Sequence, residues 1–136
     1  ELINTDPMKT KQLEKGIEQL TDEGVAQLFI QNGGNRKIIG TVGELQFEVI
    51  QYRLQNEYGA SCKFITQNIS KACWLTSKDK NKLDEFMRFK MNNIAFDKDQ
   101  NPVYLADSQW MLDQMIKNYP EVQFHFTSEF KMEVAV

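Results

Sequence analysis

Apolar residues change their spacing along this chain, and each change marks an element. Leu13, Ile17 and Leu20 recur at i, i+4 and i+7, which predicts a helix with one buried stripe running to about Asp22. Asp6-Pro7 opens it, an acceptor for the first turn's free N–H groups followed by a residue whose φ is already helical. Gly24 closes it, since glycine adopts the left-handed conformation without penalty. Residues 25–30 read as a strand that is apolar on both faces, as beneath helices. Asn32-Gly33-Gly34-Asn35 supplies a hairpin turn, and residues 36–42 return as the next strand. Thr41 and Glu44 have capping-box spacing, so Gly43-Glu44 opens a second helix that reaches Tyr58 and ends at Gly59. Its two apolar stripes, Leu45/Val49/Tyr52 and Phe47/Ile50/Leu54/Tyr58, predict cover on more than one side. With a strand at 61–66 and a short one at Leu2-Ile3, residues 1–67 spell β-α-β-β-α-β, the ferredoxin-like order.

The same order recurs downstream without residue-level repetition. Residues 71–76 form a strand, Thr76 or Ser77 caps a helix reaching about Lys90, and residues 94–96 form a strand. A polar turn at 97–101 leads to a strand at 103–106, and Asp107 or Ser108 caps a helix carrying Leu112, Met115, Ile116 and Tyr119. Pro120 stops that helix, after which Val122, Phe124 and Phe126 alternate along a last strand. The expectation is an α+β chain of two adjoining ferredoxin-like halves with antiparallel sheets, residues 1–67 and 68–130. The tail at 131–136 has no assignment.

At 136 residues the chain is long enough to bury a core without staples. Its 41% hydrophobic and 26% charged residues are ordinary for a soluble domain, which predicts neither a signal sequence nor a membrane span. Cys62 and Cys73 have no metal spacing and read as reduced structural thiols of a cytoplasmic protein. A net charge of −3 argues against a dedicated nucleic-acid binder, and no DNA partner is expected. The charge is uneven, however. Residues 63–90 hold seven Lys/Arg against three acids, inside an otherwise neutral or acidic chain. Lys71, Lys78, Lys80, Lys82, Arg88 and Lys90 are the candidate phosphate contacts of that stretch, with Arg36 and Lys37 at the hairpin as a second group.

Tempting motifs fail on context. Asn81-Lys82-Leu83-Asp84 imitates a guanine-reading signature but falls inside a predicted helix, and no phosphate-cradling loop accompanies it. Gly40-Thr41-Val42-Gly43 lacks the spacing of a dinucleotide loop. Asp97-Lys98-Asp99-Gln100-Asn101 begins like a calcium loop, yet Pro102 stands where glycine is required and Ser108 where glutamate is. His125, the sole histidine, falls opposite the Phe124/Phe126 side of its strand and is predicted to be exposed, with no nucleophile or ligand at a known spacing. No catalytic, cofactor or metal site is expected.

Two segments carry a family resemblance. Residues 9–29, from Lys-Thr-Lys-Gln-Leu to Val-Ala-Gln-Leu-Phe, and Gly40-Thr-Val-Gly-Glu-Leu-Gln-Phe-Glu-Val49 with Arg53-Leu54 and Glu57-Tyr58, resemble the C-terminal domain of release factor three, the GTPase family of bacterial translation termination. Tyr119-Pro-Glu-Val-Gln-Phe124 resembles that family's closing strand, and the Gly-Glu-Leu helix start is similar to the third domain of elongation factor G. The resemblance implies a longer protein whose preceding domains bind GTP and Mg²⁺ and which contacts small-subunit rRNA and protein on the ribosome. It implies that the whole promotes departure of the stop-codon-reading release factor after peptide release. The segment itself would be a monomeric, non-enzymatic contact module. An alternative from the residues alone is a small-molecule-sensing ferredoxin-like domain that dimerises through its sheet.

Overall fold

Asp6 opens the first helical segment by accepting a hydrogen bond from Met8 N at 3.1 Å, with Pro7 at the first helical position. A 3-10 turn, Pro7–Lys9, precedes the α-helix proper, α1 (Thr10–Asp22). Gly24 ends it at φ +79°, the conformation that a Cβ would oppose. The computed structural model describes residues 1–33, 36–41, 43 and 45–126. Gly34 and Asn35 of the predicted hairpin turn, Val42, the capping partner Glu44 and the predicted tail lie outside the described residues.

The chain divides into two compact units. One is built from Glu1–Ile30 and Asn35–Gln67, the other from Gln31–Gly34 and the described part of Asn68–Val136. In the first, β1 (Leu2–Asn4), β2 (Gln27–Gln31), β3 (Lys37–Gly40) and β4 (Cys62–Phe64) pair in the order β4-β1-β3-β2, each neighbour antiparallel. With α1 and α2 (Leu45–Tyr58) between them, this is the ferredoxin-like topology. Its core joins Leu13, Ile17 and Leu20 of α1 to Ile50 and Leu54 of α2, over Leu2, Ile39 and Cys62 of the sheet. At Gly16 the two helices come so close that an added Cβ would lie 2.6 Å from Leu54 Cδ2.

The second helix departs from expectation. Its Ile50/Leu54 stripe is buried, but Leu45, Val49 and Tyr52 stand in solvent. Counting apolar positions predicted cover on two sides, and the structure supplies it on one.

The second unit repeats the topology. β5 (Lys71–Ser77), β6 (Ile94–Phe96), β7 (Pro102–Ala106) and β8 (Val122–His125) pair antiparallel in the order β6-β7-β5-β8, with α3 (Lys80–Phe89) and α4 (Gln109–Asn118) intervening. Phe86, fully buried, sits at the centre of an aromatic core, edge-on to Tyr104, Tyr119 and Phe124 at centroid distances of 5.0–5.5 Å. The α3 cap is Asp79, whose Oδ1 accepts from Lys82 N at 3.2 Å, not Thr76 or Ser77. Ser77 Oγ instead donates to Glu121 O at 2.6 Å, binding β5 to the start of β8. Of the two candidates Asp107 and Ser108, it is Ser108 that caps α4, accepting from Met111 N. The turn at 97–101 closes around Asp97, a buried carboxylate that accepts from Asp99 N, Asn101 N and Trp74 Nε1 at 2.9–3.0 Å.

Candidate functional site

A run of basic residues in sequence becomes a patch only if the fold brings the side chains together. Here it separates them. Lys71 opens β5 and Lys78 follows its last residue, Ser77, so the strand, roughly 20 Å long at about 3.4 Å per residue, lies between them. Lys80 and Arg88 are separated by most of the length of α3, about 12 Å of helical rise. Lys78 and Lys80 flank the α3 cap, Asp79, and Lys82 follows Lys80 by two residues, which turns it to the other side of the helix.

Partners thin the set further. Lys82 Nζ lies 3.5 Å from Glu85 on the same helix face. The Lys71 ammonium lies 4.8 Å from the centre of the Phe126 ring, and Lys90 Nζ is 5.2 Å from the Phe89 ring and 3.5 Å from Met111 Sδ. In the first unit Arg36 is bonded to Glu1 at 2.8 Å and to Gln67 at 3.1 Å, while Lys37 meets Glu14 at 3.7 Å. These long-range acids were invisible to local charge counting. Lys78, Lys80 and Arg88 are exposed and make no ion pair among the described residues. Of the eight cations named from the sequence, these three are the ones left without a side-chain ion-pair, hydrogen-bond or ring partner among the described residues.

The residues present do not fit a guanine nucleotide. Asn81 to Asp84 occupy the first turns of α3, Leu83 packs on the core, and the Asp79 carboxylate occupies the helix N-terminus where a phosphate would have to sit. Among the described residues, no group of three or more His, Cys, Asp or Glu could hold a metal ion. His125 is half-buried rather than exposed, with its Nε2 2.8 Å from Thr76 Oγ1. Burial pushes the Cys73 thiol up to about 11 and raises that of Cys62, which keeps both protonated and inert at neutral pH. Tyr104, likewise buried, is pushed up to about 12.

Residues 1–116 match the family model described as class II release factor RF3, C-terminal domain. This chain belongs to that family. It is also 43% identical over 124 residues to the peptide chain release factor 3 of Aromatoleum aromaticum, an alignment covering 91% of this chain and 22% of that relative. The RF3 C-terminal chain described here thus spans about a fifth of the length of the relative it matches. Both units of this chain are ferredoxin-like, α+β with antiparallel sheets. No helix among the described residues is long and apolar enough to cross a membrane.

Proposed function

We propose that this chain is the ribosome-contacting C-terminal part of a translation-termination GTPase. The family match over residues 1–116 is the observation that carries the proposal. In the proposed whole, GTP and Mg²⁺ are held by preceding domains, the factor engages the cytoplasmic ribosome after peptide release, and the stop-codon-reading release factor then departs. The two ferredoxin-like units act as rigid contact modules on small-subunit rRNA and protein, converting nucleotide state into a change on the ribosome. The segment itself performs no chemistry and remains a monomer.

Lys78, Lys80 and Arg88 are the proposed phosphate contacts, since they are exposed and unpaired, with Lys71, Lys82 and Lys90 contributing from partnered positions. Arg36 and Lys37 rank behind them because Glu1 and Glu14 already neutralise them. In the intact factor, Lys78→Glu with Lys80→Glu and Arg88→Glu should weaken ribosome binding and flatten its salt dependence, because each lost phosphate contact removes about 0.7–0.9 from the log–log slope. GTP affinity should not change. Unaltered ribosome affinity and slope would remove these residues from the interface.

A further inference from the structure

α2 has two apolar faces with opposite fates. Ile50 and Leu54 are buried, whereas Leu45 (74% exposed), Val49 (43%) and Tyr52 (69%) follow one another at i, i+4 and i+7 in solvent. Single exposed apolar side chains are unremarkable on a protein surface, but an aligned series on one helix marks a binding face. We infer that this stripe is the surface on which the preceding part of the same polypeptide packs in the intact release factor. The inference rests on family membership and is independent of the ribosomal role.

Two observations select that occupant. The family domain is C-terminal and this chain accounts for 22% of the matched relative, so most of such a protein precedes it. The strand register then gives the direction of approach. The Glu1 amino group donates to Ile65 O at 2.6 Å and Ile65 N donates to Glu1 O at 2.8 Å, so the β1–β4 ladder continues to the first residue. On the other side Leu2 lies opposite Lys37 in an antiparallel pair. Each residue added before Glu1 therefore advances along β3 toward Gly40, and α2 begins five residues after Gly40, at Leu45. The preceding chain is delivered to the end of the unit where the exposed stripe starts.

Other occupants fit less well. The three stripe residues carry no cation, and exposed Glu48 sits on the same turn, which disfavours an RNA backbone. Three side chains also fall short of the roughly 800 Å² per partner that a stable dimer buries. A tethered domain needs less area, because linkage supplies a high effective concentration.

Hydroxyl-radical footprinting of the intact factor without ribosomes tests this, with Tyr52 as the reporter and the 136-residue chain at low concentration as the reference. Tyr52 should lose most of its labelling in the intact factor, and Leu45→Gln with Val49→Gln should restore it. Equal labelling in the two proteins would overturn the inference. So would protection in the 136-residue chain that grows with its concentration, which indicates a second copy, or protection that appears only when ribosomes are added. A factor that shows the expected protection yet has no affinity for ribosomes would sink the proposed function and leave this inference standing.

Discussion

Gly16→Ala sets local propensity against packing, and the two predict opposite signs. In an exposed helix interior the change gains about 1 kcal/mol, because alanine has less backbone entropy to lose than glycine. At this position the new Cβ would lie 2.6 Å from Leu54 Cδ2, 2.9 Å from Tyr58 Cδ2 and 3.0 Å from Tyr58 Cγ. Carbon atoms in contact prefer about 3.5–4.0 Å, so α1 and α2 must separate or both neighbours must move. Neither moves freely. Leu54 is fully buried, and the Tyr58 hydroxyl is hydrogen-bonded back to Gln19 of α1. Overpacking of this kind costs about 1–3 kcal/mol, which outweighs the propensity gain and leaves a net loss of about 1 kcal/mol. Urea unfolding followed by far-ultraviolet circular dichroism would measure it. Repeating the substitution in a Leu54→Ala background supplies the control, because truncating the leucine removes the shortest contact and opens space into which the Tyr58 ring can shift away from the new methyl. There Gly16→Ala should become neutral or stabilising, a coupling of at least about 1 kcal/mol. If Gly16→Ala alone stabilises the chain by the full helix-propensity gain, the helices do not meet at Gly16 and the packing of this unit is wrong.

Further expectations concern charge and burial. Arg53 bonds both Glu23 and Glu57, and those hydrogen bonds hold the two carboxyls below their ordinary value. A depressed carboxylate contributes stability that is present above about pH 4.5 and lost as pH falls through the folded value, so Arg53→Met should flatten the acid limb of a stability–pH curve. Cys73 behaves in the opposite sense. Its thiol is raised from about 9 to about 11, so its contribution is intact below pH 9 and declines as pH rises toward 11; Cys73→Ala should remove that decline, and native Cys73 should resist alkylation at pH 8 until urea unfolds the unit. Asp97→Ala leaves Asp99 N, Asn101 N and Trp74 Nε1 without their acceptor and should cost about 2–4 kcal/mol, read by the fluorescence of buried Trp74 during unfolding.

Much of this fold was legible because periodicity, caps and turn residues point the same way. Leu13/Ile17/Leu20, Asp6-Pro7 and Gly24 each specify α1 independently, residue type narrowed the α4 cap to Asp107 or Ser108, and the 97–101 turn was readable from residue type alone. What failed was whatever depends on a distant neighbour. The Leu45/Val49/Tyr52 stripe is as apolar as a core stripe, and nothing in its spacing tells an internal surface from one that faces outward. Arg36 and Lys37 looked like free cations until the sheet brought Glu1 and helix α1 brought Glu14 beside them. The basic stretch was a property of the sequence that β5 and α3 spread along two elements rather than gathering into one patch. Gly16 carried a hint, since a glycine inside an amphipathic helix costs stability unless something needs the space, but the identity of its neighbours belongs to the tertiary structure.

The proposed role gives this domain the ribosome-contacting part of a termination GTPase's work. The most direct measurement compares the intact factor with one truncated immediately before Glu1, following GTP binding and the rate at which the stop-codon-reading factor leaves a terminated ribosome. The account predicts that the truncated protein binds GTP normally and no longer accelerates departure. A truncated factor that releases its partner as fast as the intact one would contradict it.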